Sequence, residues 1–330
     1  MANKYNKSKE YQFDIDVTAD NYVGKLALPY VTAAVKSPDT VAKGFVRQID
    51  GLRKAANITG LSLNDPVKAA SCDFDSNDIS LDQTLQTLTL TDLEVNQEVC
   101  RGTIFPTWLG ENMTRNGDIA QPFSDFLLST VAAKAGESIE NGIWLADTGG
   151  VYGTGFLSND GTFDEDGADA SACKDFTEST ITPITNSNCV AQFGQVYDDA
   201  VTNVPGILNK PDIGFYVGLT TYGLYMQELA LAGDGQGVNN LGSGQNLQGL
   251  SYLGIPINVC PGIPADCIIL TYKENLVYGT NLATDWTEAR LIPTYQYDGS
   301  DNVRVVMNFA IGVQTAVAGD GVFGATFWTA

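Results

Sequence analysis

Most of the side chains in this sequence that could do acid-base chemistry are carboxylates, and the chain contains no histidine. Without histidine, a Ser-His-Asp triad, a Cys-His dyad and His-ligated zinc are all excluded. Asp and Glu number 39, and paired carboxylates could serve as the general acid and base of a glycosidase-like hydrolase. No barrel or alternating β/α pattern accompanies them. An acidic carboxylate-dependent hydrolase therefore stays an alternative, and the sequence predicts no catalytic residue and no enzyme.

Cysteine could supply thiolates for metal or redox chemistry. None of the six cysteines forms a C-x-x-C motif, and zinc-ribbon spacing is absent, so no metal site and no cofactor is predicted. In a reducing cytoplasm we expect free thiols, while a disulfide formed after release from a cell stays open as an alternative. The six are Cys72, Cys100, Cys173, Cys189, Cys260 and Cys267.

Two loop-like segments carry residues that ligands use elsewhere. The acidic run 164–169 lacks EF-hand spacing and its closing glutamate, so a solvated acidic loop is the better interpretation than a calcium site. The glycine-rich segment 233–249 has no strand before it and no G-K-[ST] motif, which argues against a phosphate loop. We predict a mobile loop at the end of a domain there.

Charge and hydropathy restrict the partners. A net charge of −21 argues against a protein that grips nucleic acid through its phosphates. With 44% hydrophobic and 17% charged residues the composition is that of a globular protein. No apolar run reaches the roughly 18 residues of a membrane span, and the first residues lack an apolar signal core. We expect a chain folded in a cytoplasm, with no membrane partner.

A long helix is the most distinct element. Residues 122–147 place Leu127, Val131, Ala135, Ile139 and Ile143 at steps of four, after a proline suited to a first helical position. This stretch of about 26 residues would span roughly 39 Å. The pattern predicts a helix lying across a sheet, and an ordinary core helix is the plainer alternative.

Strand patterns flank this helix on both sides. In residues 65–104, Leu88 and Leu90 alternate with polar residues on one phase, and Leu93 and Val95 on the other, which predicts a long hairpin with a polar turn at 75–78. An ordinary antiparallel sheet is the alternative. Residues 1–61 form an arm with too little apolar surface to fold alone, and 40–54 could form one modest helix.

The remainder completes an α+β order, with strands at both ends of the chain and helices between them. Helices are predicted at 195–209 and 219–232 and a strand at 214–217. In the C-terminal third, strands are predicted across 253–259, 266–279 and 291–316, with Tyr295 and Tyr297 beside a hairpin turn at 298–301.

Two stretches, in this order along the chain, resemble the major capsid proteins of tailed bacteriophages, which share the Hong Kong 97-type fold with encapsulins. They are LEVNQEVCRGTIFPTWLGENM (93–113) and GIPINVCPGIPADCIILTYKENLVYGTN (254–281). The resemblance implies an N-terminal arm (1–61), an extended β-hairpin loop (62–104) and a peripheral domain (105–150 and 282–330) with the spine helix 122–147. It also implies an axial domain (151–281) with the glycine-rich loop 233–249.

The resemblance further implies a structural protein of the virion. Pentamers and hexamers of the chain would form an icosahedral shell around a tailed phage's double-stranded DNA genome, assembled in the host bacterial cytoplasm. Its partners would be copies of itself, portal and head-completion proteins, a separate scaffold protein and a decoration protein. An encapsulin-like nanocompartment shell is the alternative within the fold.

Contacts between subunits are expected along the hairpin, the arm and the glycine-rich loop. Some family members also cross-link a hairpin lysine to a neighbour's asparagine, but Lys68 is the only lysine here and lies near the base, so no cross-link is expected. The expected contact residues are Leu88, Leu90, Leu93, Val95, Phe45, Val46, Asn239 and Asn240.

Overall fold

A computed structural model describes thirteen stretches of the chain, which together form an α+β fold. They are residues 21–23, 34–35, 38–63, 81–100, 102–103, 123–145, 155–157, 176–231, 250–281, 288–297, 299–300, 302–317 and 319–325. The helices are α1 (Asp39–Ala42), α2 (Phe123–Trp144), α3 (Cys189–Asn203) and α4 (Leu219–Leu231). The strands are β1 (Asn21–Val23), β2 (Arg47–Ile49), β3 (Ala55–Leu63), β4 (Leu81–Thr89), β5 (Thr91–Cys100), β6 (Thr177–Ser179), β7 (Ile213–Val217), β8 (Ser251–Tyr252), β9 (Ile255–Val259), β10 (Cys267–Tyr272), β11 (Leu276–Thr280), β12 (Glu288–Pro293), β13 (Asn302–Thr315) and β14 (Val322–Ala325).

The first sheet is built around β13. Its main path runs β1-β12-β13-β11-β2, and β5 also pairs with β13, from Asn302↔Cys100 to Ile311↔Thr91. Val303, Val305 and Met307 alternate inward along β13 and are buried. This face of β13 therefore points into the core of the first sheet.

Helix α2 crosses this sheet as the sequence predicted. It has 22 residues, which corresponds to about 33 Å. Leu127, Ile139 and Ile143 of the predicted stripe are buried in one cluster with Met307 and Phe309 of β13, and Ala132 lies beside them. The small residue Ala132 lets the helix lie close to the sheet, so this part of the stripe faces the core, whereas Val131 and Ala135 are only partly buried.

The second sheet is centred on β10 and runs β6-β14-β10-β7-β9-β8. Every residue of β10 is buried, and α3 and α4 cover the sheet with Phe193, Tyr222 and Tyr225. Helix α3 begins and ends about six residues before the predicted 195–209, and a 3₁₀ turn follows at Pro205–Asn209. Proline lacks the N–H that would continue the α-helix.

Strand pairing crosses the domain limits expected from the sequence. β11 pairs with β13 of the first sheet although it was expected in the axial domain, and β14 pairs with β10 although it was expected in the peripheral domain. The arm also takes part in the fold, because β1 pairs with β12 and β2 pairs with β11. The domain boundaries remain predictions.

The hairpin is shifted toward the N-terminus relative to the prediction. β3 pairs with β4 from Ala55↔Thr89 to Leu63↔Leu81, whereas β5 leaves the hairpin and joins β13. The backbone N–H of Leu90 donates to the carbonyl oxygen of Lys54 at 2.8 Å, and this contact marks where the chain passes from hairpin to sheet. Period-two alternation is the same in a hairpin and a sheet, so it did not reveal this division. The predicted turn 75–78 and Lys68 lie outside the described residues.

The C-terminal hairpin between β12 and β13 has a different connection from the one predicted. A 3₁₀ turn spans Thr294–Gln296 after Pro293, so Tyr295 and Tyr297 lie in the connection rather than in strands and are exposed. The hydroxyl of Thr294 donates to the carbonyl oxygen of Asn302 at 2.8 Å and closes the connection.

Candidate assembly surface

The β3–β4 hairpin has few of the contacts that normally stabilise a strand pair. Its nine residue pairs extend about 30 Å, and among the described strands β3 and β4 pair only with each other. Asn57, Thr59 and Thr87 are exposed, and Thr87 donates to the side-chain oxygen of Asn57 at 3.3 Å. A two-stranded hairpin is marginally stable in water, so this one needs a surface to lie against.

Two glycines opposite each other in the first sheet form the surface on which the base of the hairpin packs. We call this surface the seat. Gly279 of β11 pairs with Gly312 of β13. A Cβ on Gly312 would lie 2.1 Å from the carbonyl oxygen of Thr89, and one on Gly279 would lie 2.6 Å from Cδ2 of Leu88. The hairpin base can contact the sheet only because both side chains are absent. The sequence signal was an isolated glycine within each strand pattern, and our reading of the sequence missed it.

The predicted contact residues of the hairpin region are divided between this seat and a groove. Leu88 is 0% exposed and packs with Val277 and Ala316, so its side chain has no surface left for a neighbouring subunit. Leu90 is partly buried beside Gly279. Leu93, which is buried, and Val95, which is partly buried, line the groove.

The groove lies between α2 and β5 and has a volume of about 710 Å³. Apolar side chains from both elements form its walls, and Glu94 is the one carboxylate among the lining residues. A hydrolase of the glycosidase type needs two carboxylates facing one another, which this groove does not supply. The apolar lining residues are Leu93, Val95, Val99, Leu127, Val131, Ala135, Ile139 and Phe309.

The predicted contact residues of the arm pack against their own chain. Val46 is 3% exposed, and Phe45 lies edge-on to Tyr216 with ring centroids 6.3 Å apart. The hydroxyl of Tyr216 donates to the carbonyl oxygen of Phe45 at 3.2 Å. Asn239 and Asn240, predicted in the glycine-rich loop, lie outside the described residues. An intersubunit role for these residues stays a prediction.

The described cysteines have the environment of structural thiols. Cys100 is exposed, whereas Cys189, Cys260 and Cys267 are buried, and these four cysteines form no disulfide with one another. Burial, with smaller contributions from Glu228 and Asp266, raises the pKa of the Cys189 thiol to about 12. Burial also raises the pKa of the Cys260 thiol. Both thiols are protonated at neutral pH and are therefore poor nucleophiles. Cys72 and Cys173 lie outside the described residues.

The described residues contain neither a candidate metal-ion cluster nor a helix that could span a membrane. No group of three or more cysteine or acidic side chains in these stretches could hold a metal ion, and the acidic run 164–169 lies outside them. No described helix has the length and hydropathy needed to cross a bilayer.

Comparison with known proteins identifies the fold through structure alone. No family model matches the chain, and no curated protein matches it. Solved structures do match over most of the chain, and all those compared below are capsids or procapsids. The chain therefore has the Hong Kong 97-type fold of tailed-phage capsid proteins, which confirms the predicted fold class.

Three of these structures illustrate the match. The capsid of an empty GTA particle is similar with a TM-score of 0.57 and 13% identity, covering 89% of each chain. The capsid of Myoviridae phage XM1 is similar with a TM-score of 0.55 and 10% identity, covering 87% of this chain and 92% of that one. The procapsid of satellite phage P4, which includes the size determination protein Sid, gives a TM-score of 0.51 at 12% identity and covers 90% and 98%.

Proposed function

We propose that the protein is a major capsid protein that assembles into pentamers and hexamers, which form the icosahedral shell of a tailed phage. The observation that carries this proposal is the β3–β4 hairpin, a projecting strand pair in a capsid fold with no sheet partner among the described residues. A chain that leaves two strand edges unpaired exposes donors and acceptors that another copy can use.

The hairpin and the groove are the two complementary parts of this proposal. The hairpin of one subunit lies against the apolar groove between α2 and β5 of the next, so that each copy supplies the surface its neighbour lacks. The groove supports this role because its lining includes half-buried Val131 and Ala135, which a single chain leaves partly in contact with water. Closed repetition of such a head-to-tail contact gives a ring.

The remaining assignments follow the same hypothesis. The arm 1–61, extended loop 62–104, peripheral domain 105–150 with 282–330, and axial domain 151–281 are the parts of a shell subunit. The protein would reside in the virion, assemble in the bacterial cytoplasm and act without catalysis. A portal, head-completion proteins, a separate scaffold and a decoration protein would be its partners. A charge of −21 suits an inner wall that packed DNA contacts only non-specifically.

The test is a pair of identical substitutions on α2, two positions apart. Ala135 lines the groove, whereas Ala133 is exposed on the helix and does not line it. Ala135→Glu places a charge where the neighbour's hairpin would lie, and we expect at least a tenfold loss of rings and shells by light scattering and negative-stain microscopy. Ala133→Glu should assemble as the unmodified protein does, and thermal unfolding checks that both variants fold.

Two results would contradict the proposal. One is an unmodified chain that stays monomeric at every concentration and salt tested. The other is equal assembly of the two variants, which would exclude the groove as the contact surface. Purified particles also separate a phage shell from an encapsulin-like compartment, because the former protects DNA from nuclease and the latter contains a cargo protein.

A further inference from the structure

A buried carboxylate lies where the N-terminal segment, helix α2 and the second sheet meet. Glu140, in the last two turns of α2, is 5% exposed. Among the described residues, no lysine or arginine forms an ion pair with it. A buried charge without a cation needs hydrogen-bond donors. The hydrogen-bond donors to Glu140 therefore show which segments this carboxylate holds together.

Three donors from two distant segments reach this one carboxylate. Thr40 of α1 donates its backbone N–H to Oε2 at 3.0 Å and its hydroxyl to Oε1 at 2.5 Å. Gly262, in the turn 260–263 between β9 and β10, donates its backbone N–H to Oε1 at 3.4 Å. The turn contacts the helix this closely because residue 262 lacks a Cβ, which would lie 2.3 Å from the carbonyl oxygen of Glu140.

Trp144 completes the network from the next turn of α2. Its indole N–H donates to the hydroxyl oxygen of Thr40 at 2.9 Å, and both side chains are 0% exposed. The Thr40 hydroxyl thus accepts from the indole and donates to the carboxylate, which fixes its orientation. The Thr40 hydroxyl therefore hydrogen-bonds to two side chains of the same helix, those of Glu140 and Trp144.

We propose that Glu140 is a latch, whose carboxylate fastens segment 38–46 and turn 260–263 to one point of α2 so that the three move as a unit. Losing the Thr40 contacts then loosens the turn, both through the shared carboxylate and through the hydrogen bond between the Thr40 side chain and Cys260 at the start of the turn. The inference does not depend on the proposed capsid role, because it concerns contacts within one chain.

Hydrogen–deuterium exchange of the full-length protein tests the latch. Glu140→Gln replaces one acceptor oxygen by an amide NH₂ that faces the donors of Thr40, so we expect exchange to accelerate by about tenfold or more in peptides covering both 38–46 and 260–263. Peptides from β10 should keep their protection. Glu137→Gln, one turn earlier and exposed, is the matched control and should change neither segment.

A second pair of variants tests the coupling itself. Thr40→Val removes the hydroxyl and should accelerate exchange in turn 260–263, whereas Thr40→Ser keeps the hydroxyl and should leave the turn near its original rate. All proteins are compared in one oligomeric state, fixed by light scattering. The latch is refuted if Glu140→Gln changes one segment alone, changes neither, or deprotects β10 equally, and also if Thr40→Val leaves the turn unaffected.

Discussion

The strands of the second sheet and those of the β3–β4 hairpin differ in how they are paired and buried. β10 has a strand on each side and all six of its residues are buried, whereas the hairpin strands pair only with each other among the described strands. Leu88 is the only residue classed as buried among the hairpin side chains that the structure describes. The sheet is therefore stabilised from within its own chain, and the hairpin depends on its seat and on a partner surface.

The largest effect should come from removing a ring at the centre of the second sheet's core. Phe193 is 0% exposed, and its ring centroid lies 5.1 Å from that of Phe215 and 5.0 Å from that of Tyr225. Phe193→Ala should lower the free energy of unfolding by about 3–5 kcal/mol. Chemical denaturation of the dissociated subunit measures this loss. A loss below about 1 kcal/mol would contradict a core that is complete within one chain.

A smaller effect is expected where the hairpin joins the first sheet. In Gly312→Ala the new methyl group would overlap the carbonyl oxygen of Thr89, so the hairpin base must move, at a cost of about 1–3 kcal/mol. Exchange measurements should show loss of protection in β3 and β4 before any change in β10. Assembly should also fall, because the hairpin then points in another direction.

Gly223→Ala is the matched control for this substitution. A Cβ on Gly223 meets no atom within 4 Å, and the residue lies inside α4. Alanine has the higher helix propensity, so this variant should be up to about 1 kcal/mol more stable than the unmodified protein. If the two glycine variants change stability in the same direction, the seat formed by Gly279 and Gly312 is not what limits the hairpin.

The sequence correctly predicted the elements in which buried residues recur at a regular spacing. Helix α2 was found from its stripe, and a strand over Leu93 and Val95 from its alternation, since burial on one face imposes those periods. Pairing between distant segments left no such pattern. The same alternation fits β5 in a hairpin or against β13, which follows it by some 200 residues.

Glu140 shows the same limit at the level of one side chain. In the sequence it is one of several charged residues of α2, with Asp125, Lys134 and Glu137. Its donors, Thr40 and Gly262, are 100 and 122 residues away along the chain. Only the packing of these segments distinguishes a buried, hydrogen-bonded carboxylate from a solvated one, so the candidate site could not be read from local spacing.

The smallest effect at neutral pH should come from the buried thiol of Cys189, the first residue of α3. Burial raises the pKa of Cys189 from 9.0 to about 12, and Glu228 and Asp266 add to the shift, so the folded state holds this proton more tightly than the unfolded chain. The resulting stability is fully present below pH 9 and is lost as the pH rises from about 9 to about 12. Cys189→Ala should therefore show a shallower decline of unfolding free energy over this range. At pH 7 it should lose the packing of the sulfur and its weak hydrogen bond to the carbonyl oxygen of Thr221, about 1 kcal/mol in all.

Cys100→Ala supplies the comparison, because Cys100 is exposed in the hairpin-proximal strand β5 whereas Cys189 is buried against the second sheet. Urea denaturation of the dissociated subunit at pH 7, 9, 10 and 11 gives the slope for each protein. The Cys100 variant should follow the unmodified protein throughout. Parallel slopes for all three proteins would mean that Cys189 is solvated in the folded state, and the second sheet would then be less closed than β10 indicates. A shallower slope for Cys189→Ala alone would show that the buried thiol of the second sheet makes the unfolding free energy depend on pH, and that the exposed thiol of β5 does not.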